Sequence, residues 1–165
     1  GSSPSASGLR LLILIVKEIR AVYNDFAVGK LKELFWKEAC AEYLKRLGAY
    51  CKITVKEFPD SNKEREAELL LSHLPEHAPI LLLDIKGKEI SSETLATKST
   101  PMLSGSSQLV FIIGGSDGVT SEVKQHATER ISFGPITLPH NLARVVLLEQ
   151  LYRAFKISRG EPYHK

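Results

Sequence analysis

Apolar runs separated by segments of helical spacing constrain this 165-residue chain more than any other feature. The buried strands that they predict are Leu9–Val16, Ile80–Asp84 and Leu109–Ile113. Strands buried on both faces of a parallel sheet are continuously apolar, whereas half-exposed strands alternate. The chain is therefore predicted to form an α/β fold with a mostly parallel sheet flanked by helices.

Periodicity and turn residues predict the other elements. Cys51–Phe58 alternates as a strand, Ile131–Phe133 predicts a short last strand, and Lys86-Gly87-Lys88 predicts a turn after Asp84. Helices are predicted over Leu31–Leu47, Asn62–Leu74, Ser91–Lys98, Thr120–Thr128 and Pro139–Ile157. The apolar side of the first helix is predicted to consist of Leu31, Leu34, Phe35, Ala39, Tyr43 (or Leu44) and Leu47.

Size and composition predict one ordinary domain, since 43% of the residues are hydrophobic and 25% are charged. Residues 1–8 are low in complexity and are interpreted as a flexible tail or tag remnant, which leaves 9–165 as the domain. The run Leu11–Val16 is far shorter than the ~20 residues of a membrane span, so no membrane association is expected. Cys40 and Cys51 fit neither a disulfide framework nor a CxxC metal pattern, which favours a reduced, intracellular setting.

Positive charge is concentrated in two segments, although the net charge is only +3. Residues 136–165 contain five Arg or Lys against two Glu, and residues 30–57 contain seven against four. Basic segments of this kind suit a polyanionic partner such as RNA. Solvated helix faces account for the charge equally well.

The glycine-rich turn Gly114–Gly118 lies between a predicted buried strand and a helix, where backbone can approach a ligand closely. It has neither dinucleotide-fingerprint nor P-loop spacing. The same residues spell G-x-S-x-G, but a hydrolase triad with Asp84 and His140 would have the wrong chain order. His73 and His77 are spaced i, i+4, but Pro75 between them argues against a metal site, and no metal is expected.

The last thirty residues carry more polar side chains than a terminus needs for structure. Glu149 and Arg153 also fit a simple i, i+4 surface ion pair, and His140 and Arg144 share the same spacing. The candidate functional side chains in this segment are His140, Arg144, Arg153, Arg159, Tyr163 and His164.

Four C-terminal blocks, in order and correctly spaced, resemble the RlmH family of SPOUT-class methyltransferases. They are Gly114-Gly-Ser-Asp-Gly118, Thr137-Leu-Pro-His140, Leu148-Glu-Gln-Leu-Tyr-Arg-Ala-Phe155 and Arg159-Gly-Glu-Pro-Tyr-His-Lys165. The resemblance extends from about Ala27 to Lys165. It implies a homodimer whose C-terminal segment forms a trefoil knot, a topology that general folding rules do not suggest.

The resemblance further implies cytoplasmic methylation of N3 of a pseudouridine in large-subunit ribosomal RNA within the assembled ribosome. It places the catalytic side chains at His140, Arg153, Tyr163 and His164, with His140 as the favoured base. A catalytically silent ribosome-binding or RNA-binding factor on the same fold is the alternative. The residues implied to bind S-adenosylmethionine are Leu83, Gly114, Phe133, Gly134, Pro135, Ile136, Thr137 and Leu138.

The segment Lys17–Phe26 departs from the family pattern. One reading makes it a surface loop inserted after a strand at Leu9–Val16, because loops tolerate insertions. The other places the first strand at Val22–Val28 and makes the upstream residues an extension.

Overall fold

Five parallel strands form one sheet in the computed structural model, which describes residues 22–105 and 108–163. The sheet order is β2-β1-β4-β3-β5, so β4 lies at the centre and β2 and β5 lie at the edges. The strands are β1 (Val22–Val28), β2 (Lys52–Phe58), β3 (Ile80–Glu89), β4 (Gln108–Ile113) and β5 (Glu129–Ser132). The helices are α1 (Leu34–Leu47), α2 (Lys63–Ser72), α3 (Ser92–Gly105), α4 (Ser121–His126) and α5 (His140–Ser158).

Apolar side chains on both faces of the sheet divide the core into two layers. On one face Phe111 and Leu109 are fully buried against α1, α3 and α5. On the other face Val110 and Ile112 pack with Val123 against α2 and α4. Because β4 has helices on both faces, its sequence is apolar from Leu109 to Ile113, and the predicted α/β architecture is confirmed.

The first strand lies at Val22–Val28, where it pairs with both β2 and β4. The alternative with a strand at this position is confirmed, and the reading of residues 22–26 as part of an inserted loop is wrong. Two polar residues interrupt the apolar sequence of this strand, which makes it hard to recognise. Asn24 donates to Gln108 Oε1 at 3.1 Å, and Asp25 is buried. The strand predicted at Leu9–Val16 lies outside the described residues.

β3 continues to Glu89, so the turn predicted at Lys86-Gly87-Lys88 is wrong. The pairing with β5 shifts register between Leu83 and Lys88 and then resumes at Lys88 opposite Ile131. A Cβ at Gly87 would lie 2.7 Å from the backbone of Arg130, which explains the glycine. Backbone pairing with a neighbouring strand has overridden the local turn signal.

Two helix predictions need correction. α1 begins at Leu34, and Leu34 and Phe35 are 68% and 60% exposed, so they lie off the buried face. α3 extends to Gly105, well past Lys98. The predicted cap of α4 is confirmed, because the Thr120 side chain accepts a hydrogen bond from Val123 N at 3.4 Å.

Cys40 and Cys51 are both buried, and they do not form a disulfide with each other. Among the described residues, no helix combines the length and the apolar character that crossing a membrane requires.

Candidate cofactor and substrate site

A cavity of about 410 Å³ lies at the carboxyl ends of three adjacent strands. Leu83 of β3, Ile113 of β4 and Ile131 of β5 form its floor. Open parallel sheets bind ligands at this edge, where loops from neighbouring strands converge. The position of the cavity therefore follows from the parallel topology.

The glycine turn forms one wall of the cavity. Gly118 N donates to Gly115 O at 3.0 Å, which closes the turn directly after β4. A Cβ at Gly114 would lie 2.7 Å from Val119 Cγ1, closer than packed carbon atoms allow. Backbone atoms, without side chains, therefore face the cavity at this position.

Substitution of Gly114 with alanine is expected to weaken S-adenosylmethionine binding at least about tenfold, because relief of the clash displaces the turn. Calorimetric titration measures the dissociation constant directly. Gly48→Ala is the matched control, since Gly48 is exposed and has a helical φ of −57°. Unchanged cofactor affinity in Gly114→Ala would show that the turn is not part of the binding site.

The loop after β5 forms the opposite wall, and Ser132 fixes its start. The Ser132 hydroxyl, on a residue only 3% exposed, accepts from Gly134 N and donates to Gly134 O, both at 3.1 Å. Gly134 has a φ of +115°, a backbone conformation that favours glycine. The loop then presents Ile136, which is 76% exposed, at the cavity wall.

Most of the predicted cofactor residues meet at this cavity, together with His140. Pro135 is exposed and is not among the lining residues. The predicted residues that line the cavity are Leu83, Gly114, Phe133, Gly134, Ile136, Thr137, Leu138 and His140.

Sequence reasoning missed several charged lining residues. Asp84 directly follows a buried strand, which is a usable signal for a site at the sheet edge. Asp117 lies within the glycine turn. Lys63 and Lys124 come from α2 and α4, which cover the face of the sheet opposite α1, α3 and α5. Nothing in local sequence distinguishes those two lysines from solvated surface residues.

Tyr163 and Arg153 form a second cluster around Glu149. The Tyr163 hydroxyl donates to Glu149 Oε1 at 2.7 Å, and Arg153 Nη2 donates to the same oxygen at 2.9 Å. The guanidinium carbon of Arg153 lies 4.1 Å from the centre of the Tyr163 ring. Partial burial, with the Glu149 carboxylate beside it, raises the pKa of Tyr163 to about 12, so this hydroxyl stays protonated.

The Glu149–Arg153 pair forms as its spacing predicts, but it is more than a surface ion pair. Its side chains are only 18% and 26% exposed, and Tyr163 completes the cluster. His140 and Arg153 are thirteen residues apart on α5, or about 20 Å along the helix axis. Within one chain, the cavity and the Tyr163 cluster are therefore two separate places. His164 lies outside the described residues.

Tyr50 anchors the chain after α5. Its hydroxyl donates to Glu161 Oε2 at 2.8 Å, and Lys156 Nζ donates to the same oxygen at 2.9 Å. The Arg159 guanidinium carbon lies 4.7 Å from the centre of the Tyr50 ring. The hydrogen bonds from Lys156 and Tyr50 lower the pKa of Glu161, so the carboxylate remains charged at neutral pH.

Tyr50→Phe is expected to loosen the tail, because the ring remains while the hydrogen bond to Glu161 is lost. Trypsin should then cleave after Arg159 several-fold faster, and mass spectrometry of the intact protein follows the loss of residues 160–165. Cleavage after Arg65, an exposed arginine on α2, provides the internal control. Equal rates at Arg159 in variant and wild type would contradict the anchoring role.

Arg144 does not line the cavity with His140, although the two share an i, i+4 spacing. Its guanidinium is buried, with Nη1 donating to Glu57 Oε2 at 2.7 Å and to Gly29 O at 3.2 Å. His140 therefore lines the cavity, whereas Arg144, one helical turn later, connects α5 to β1 and β2.

This arrangement supports neither a serine hydrolase nor a metal site. Ser116 shares the cavity with His140, but no hydrogen bond joins their side chains in the part of the chain that the structure describes. Across residues 22–105 and 108–163, no group of three or more His, Cys, Asp or Glu side chains is placed to hold a metal ion.

A parallel sheet with a cavity at its carboxyl edge defines the class of the protein as α/β, with a cavity at the edge where proteins of this class bind ligands. The model for the predicted SPOUT methyltransferase family matches residues 23–164. The chain therefore belongs to the SPOUT methyltransferase family. Methyltransferases of this family generally use S-adenosylmethionine as the methyl donor.

Three solved structures are similar to this chain, and the first of them shows the same fold. A probable methyltransferase from Bordetella pertussis Tohama I superposes with a TM-score of 0.52 at 11% identity, over 86% of this chain and 98% of that chain. The SpoU methyltransferase AviRb from Streptomyces viridochromogenes scores 0.43 at 10% identity, over 86% of this chain and 60% of that one. A TrmH/SpoU tRNA modifying enzyme from A. aeolicus scores 0.43 at 12% identity, over 92% and 85%.

Proposed function

We propose that this protein is a cytoplasmic enzyme that methylates N3 of a pseudouridine in large-subunit ribosomal RNA, with S-adenosylmethionine as donor. We further propose that it acts on the assembled ribosome as a homodimer and that its C-terminal segment forms a trefoil knot. The observation that carries the proposal is the cavity at the carboxyl edge of the sheet. It gathers seven of the eight cofactor residues that the resemblance to the RlmH family implies, together with His140.

The residues of the cavity suit S-adenosylmethionine, which joins an apolar, planar adenine to a charged methionine. Ile136 and Leu138 offer apolar surface, and the bare backbone at Gly114 permits close approach. Asp84 and Asp117 provide carboxylates for the positively charged ammonium and sulfonium groups of the cofactor. Lys63 and Lys124 can pair with the carboxylate of its methionine part. When bound, the cofactor supplies an electrophilic methyl group.

Methylation at N3 of pseudouridine requires the loss of the N3 proton. His140 lies in the cavity wall, and its imidazole can serve as the general base that accepts that proton. Tyr163 stays protonated, so it suits hydrogen bonding or stacking on the target base. Arg153 beside it would stabilise negative charge on the base.

The separation of these groups supports the proposed homodimer. Since about 20 Å of helix lies between His140 and Arg153 in one chain, both can face one nucleotide only if different subunits contribute them. We therefore place the tail of one subunit, with Arg153, Tyr163 and His164, opposite the cavity of the other. The basic segments at residues 30–57 and 136–165 would contact RNA phosphates.

Labelled S-adenosylmethionine incubated with ribosomes tests the proposal. Expected is one labelled methyl group on pseudouridine N3 in large-subunit RNA, located by digestion and mass spectrometry, and none with His140→Ala. Bound cofactor without any methyl transfer to ribosomes would contradict the proposed reaction.

The alternative is a catalytically silent RNA-binding or ribosome-binding factor on this fold. It predicts association with ribosomes and no affinity for S-adenosylmethionine. Calorimetric titration with the cofactor separates the two functions, because the silent factor is excluded if the cofactor binds.

A further inference from the structure

A second cavity, of about 390 Å³, lies between α1 and α5 over the edge of the sheet formed by β1 and β2. Asp25 of β1, Glu57 of β2 and Arg144 of α5 give it a charged floor. Leu44 and Leu148 contribute apolar walls, and the exposed Lys37 of α1 lies beside them. Its volume falls within the range of about 300–1,000 Å³ that small-ligand sites occupy.

Two buried polar atoms of this cavity have no partner among the described residues. They are Oδ1 of Asp25, a residue 1% exposed, and Nε of Arg144, a residue 3% exposed. Arg144 is held in place by Nη1, which donates to Glu57 and to the Gly29 carbonyl, while its Nε–H is left without an acceptor. A buried polar atom without a hydrogen-bond partner is unfavourable, so a ligand that satisfies both atoms would gain affinity from each.

The residues of the cavity floor determine which kind of ligand the cavity can bind. A simple anion would be repelled by the Glu57 carboxylate, and a simple cation by the Arg144 guanidinium. A neutral group with a donor beside an acceptor can give a hydrogen to Asp25 and accept one from Arg144. The hydrogen-bonding edges of nucleobases have this pattern, and their flat faces suit the apolar walls.

We propose that this cavity binds the base of a second nucleotide of the RNA substrate, with its phosphate at Lys37. The proposal rests on the proposed function in taking RNA as the ligand. The base held here is not the one that is methylated, because Gly114 and His140 line the other cavity. Proteins that recognise single-stranded RNA commonly hold unstacked bases in pockets of this kind.

Trp36, the single tryptophan of the chain, provides the readout because it precedes Lys37 on α1. The four nucleoside 5′-monophosphates are titrated separately, and the fluorescence of Trp36 is followed. Saturable binding of at least one is expected. Asp25→Leu should weaken it at least tenfold, and Lys37→Ala should weaken the monophosphate more than the corresponding nucleoside.

Ala41→Phe keeps the proposal testable if Asp25→Leu does not fold. Ala41 is exposed at the cavity, so a phenyl ring there should block the base without disturbing the core, and nucleotide binding should be lost. Ala49→Phe is the matched control, since Ala49 is exposed in the turn after α1 and does not line the cavity. Absence of any saturable signal, or equal binding by wild type and Ala41→Phe, would mean that only water occupies the site.

Methyl transfer and cofactor affinity are measured in the same variants, so failure of this proposal is distinguishable from failure of the proposed function. If Ala41→Phe loses nucleotide binding but the wild type transfers no methyl group, the base site is supported and the proposed methylation is contradicted. Equal nucleotide binding with a wild type that methylates ribosomes would overturn the base site and leave the enzyme intact.

Discussion

Removal of Tyr163–Lys165 is expected to lower kcat for methyl transfer at least about 10²-fold, the usual scale for losing a group that acts on the reacting base. Cofactor affinity should remain, because the described residues that line the cavity lie between Lys63 and Ala143, upstream of the deletion. Dimerisation should also persist, since the anchoring contact of Tyr50 with Glu161 lies upstream of the deletion. Single-turnover kinetics, calorimetry and light scattering measure the three properties.

Tyr163→Phe is the control for this deletion. It removes only the hydroxyl that donates to Glu149, while the ring can still stack against Arg153. A smaller loss of kcat than in the deletion would assign the remainder to the ring and to His164. Simultaneous loss of methyl transfer, cofactor binding and dimerisation in the deleted protein would mean that the tail is structural.

Asp25→Asn is expected to stabilise the protein above neutral pH by up to about 4 kcal/mol. Burial raises the pKa of Asp25 from 3.8 to about 7, with the Arg144 guanidinium opposing this shift and the Glu57 carboxylate adding to it. The folded protein therefore holds this proton more tightly than the unfolded chain. That contribution to stability is complete below about pH 4 and is lost as the pH rises through 7.

The stabilisation should therefore grow between about pH 4 and pH 7 and then level off. At pH 8 we expect a rise in Tm of roughly 10 °C over wild type, given 2–4 °C per kcal/mol for a domain of this size. Thermal unfolding followed by circular dichroism at a series of pH values measures it. Asp60→Asn, at an exposed carboxylate near Gly29, is the matched control. A Tm difference that does not change with pH would refute the raised pKa.

The sequence alone determined the α/β class and most helices and strands, and it predicted the residues of the loop that borders the first cavity. The buried strands of the sheet centre are apolar on both faces, so β4 could be recognised without knowledge of its neighbours. The segment Phe133–Leu138 could be proposed because the resemblance to the RlmH family extends through it to the block that begins at Thr137. A site made largely of one loop and one turn consists of residues that are close in the chain, so local sequence can predict it.

Tertiary structure decided the features that depend on neighbours distant in the chain. β1 could not be recognised with certainty from the sequence, because Asn24 and Asp25 are polar. In the structure Asn24 bonds to Gln108, and Asp25 lines the second cavity. β3 continues past Gly87 because its pairing with β5 resumes at Lys88. Arg144 and His140, which the sequence placed on one face, line different cavities, since the packing of α5 against the sheet changes within one helical turn. Periodicity specifies which side of an element is buried, but what lies against that side is set by contacts between residues far apart in the chain.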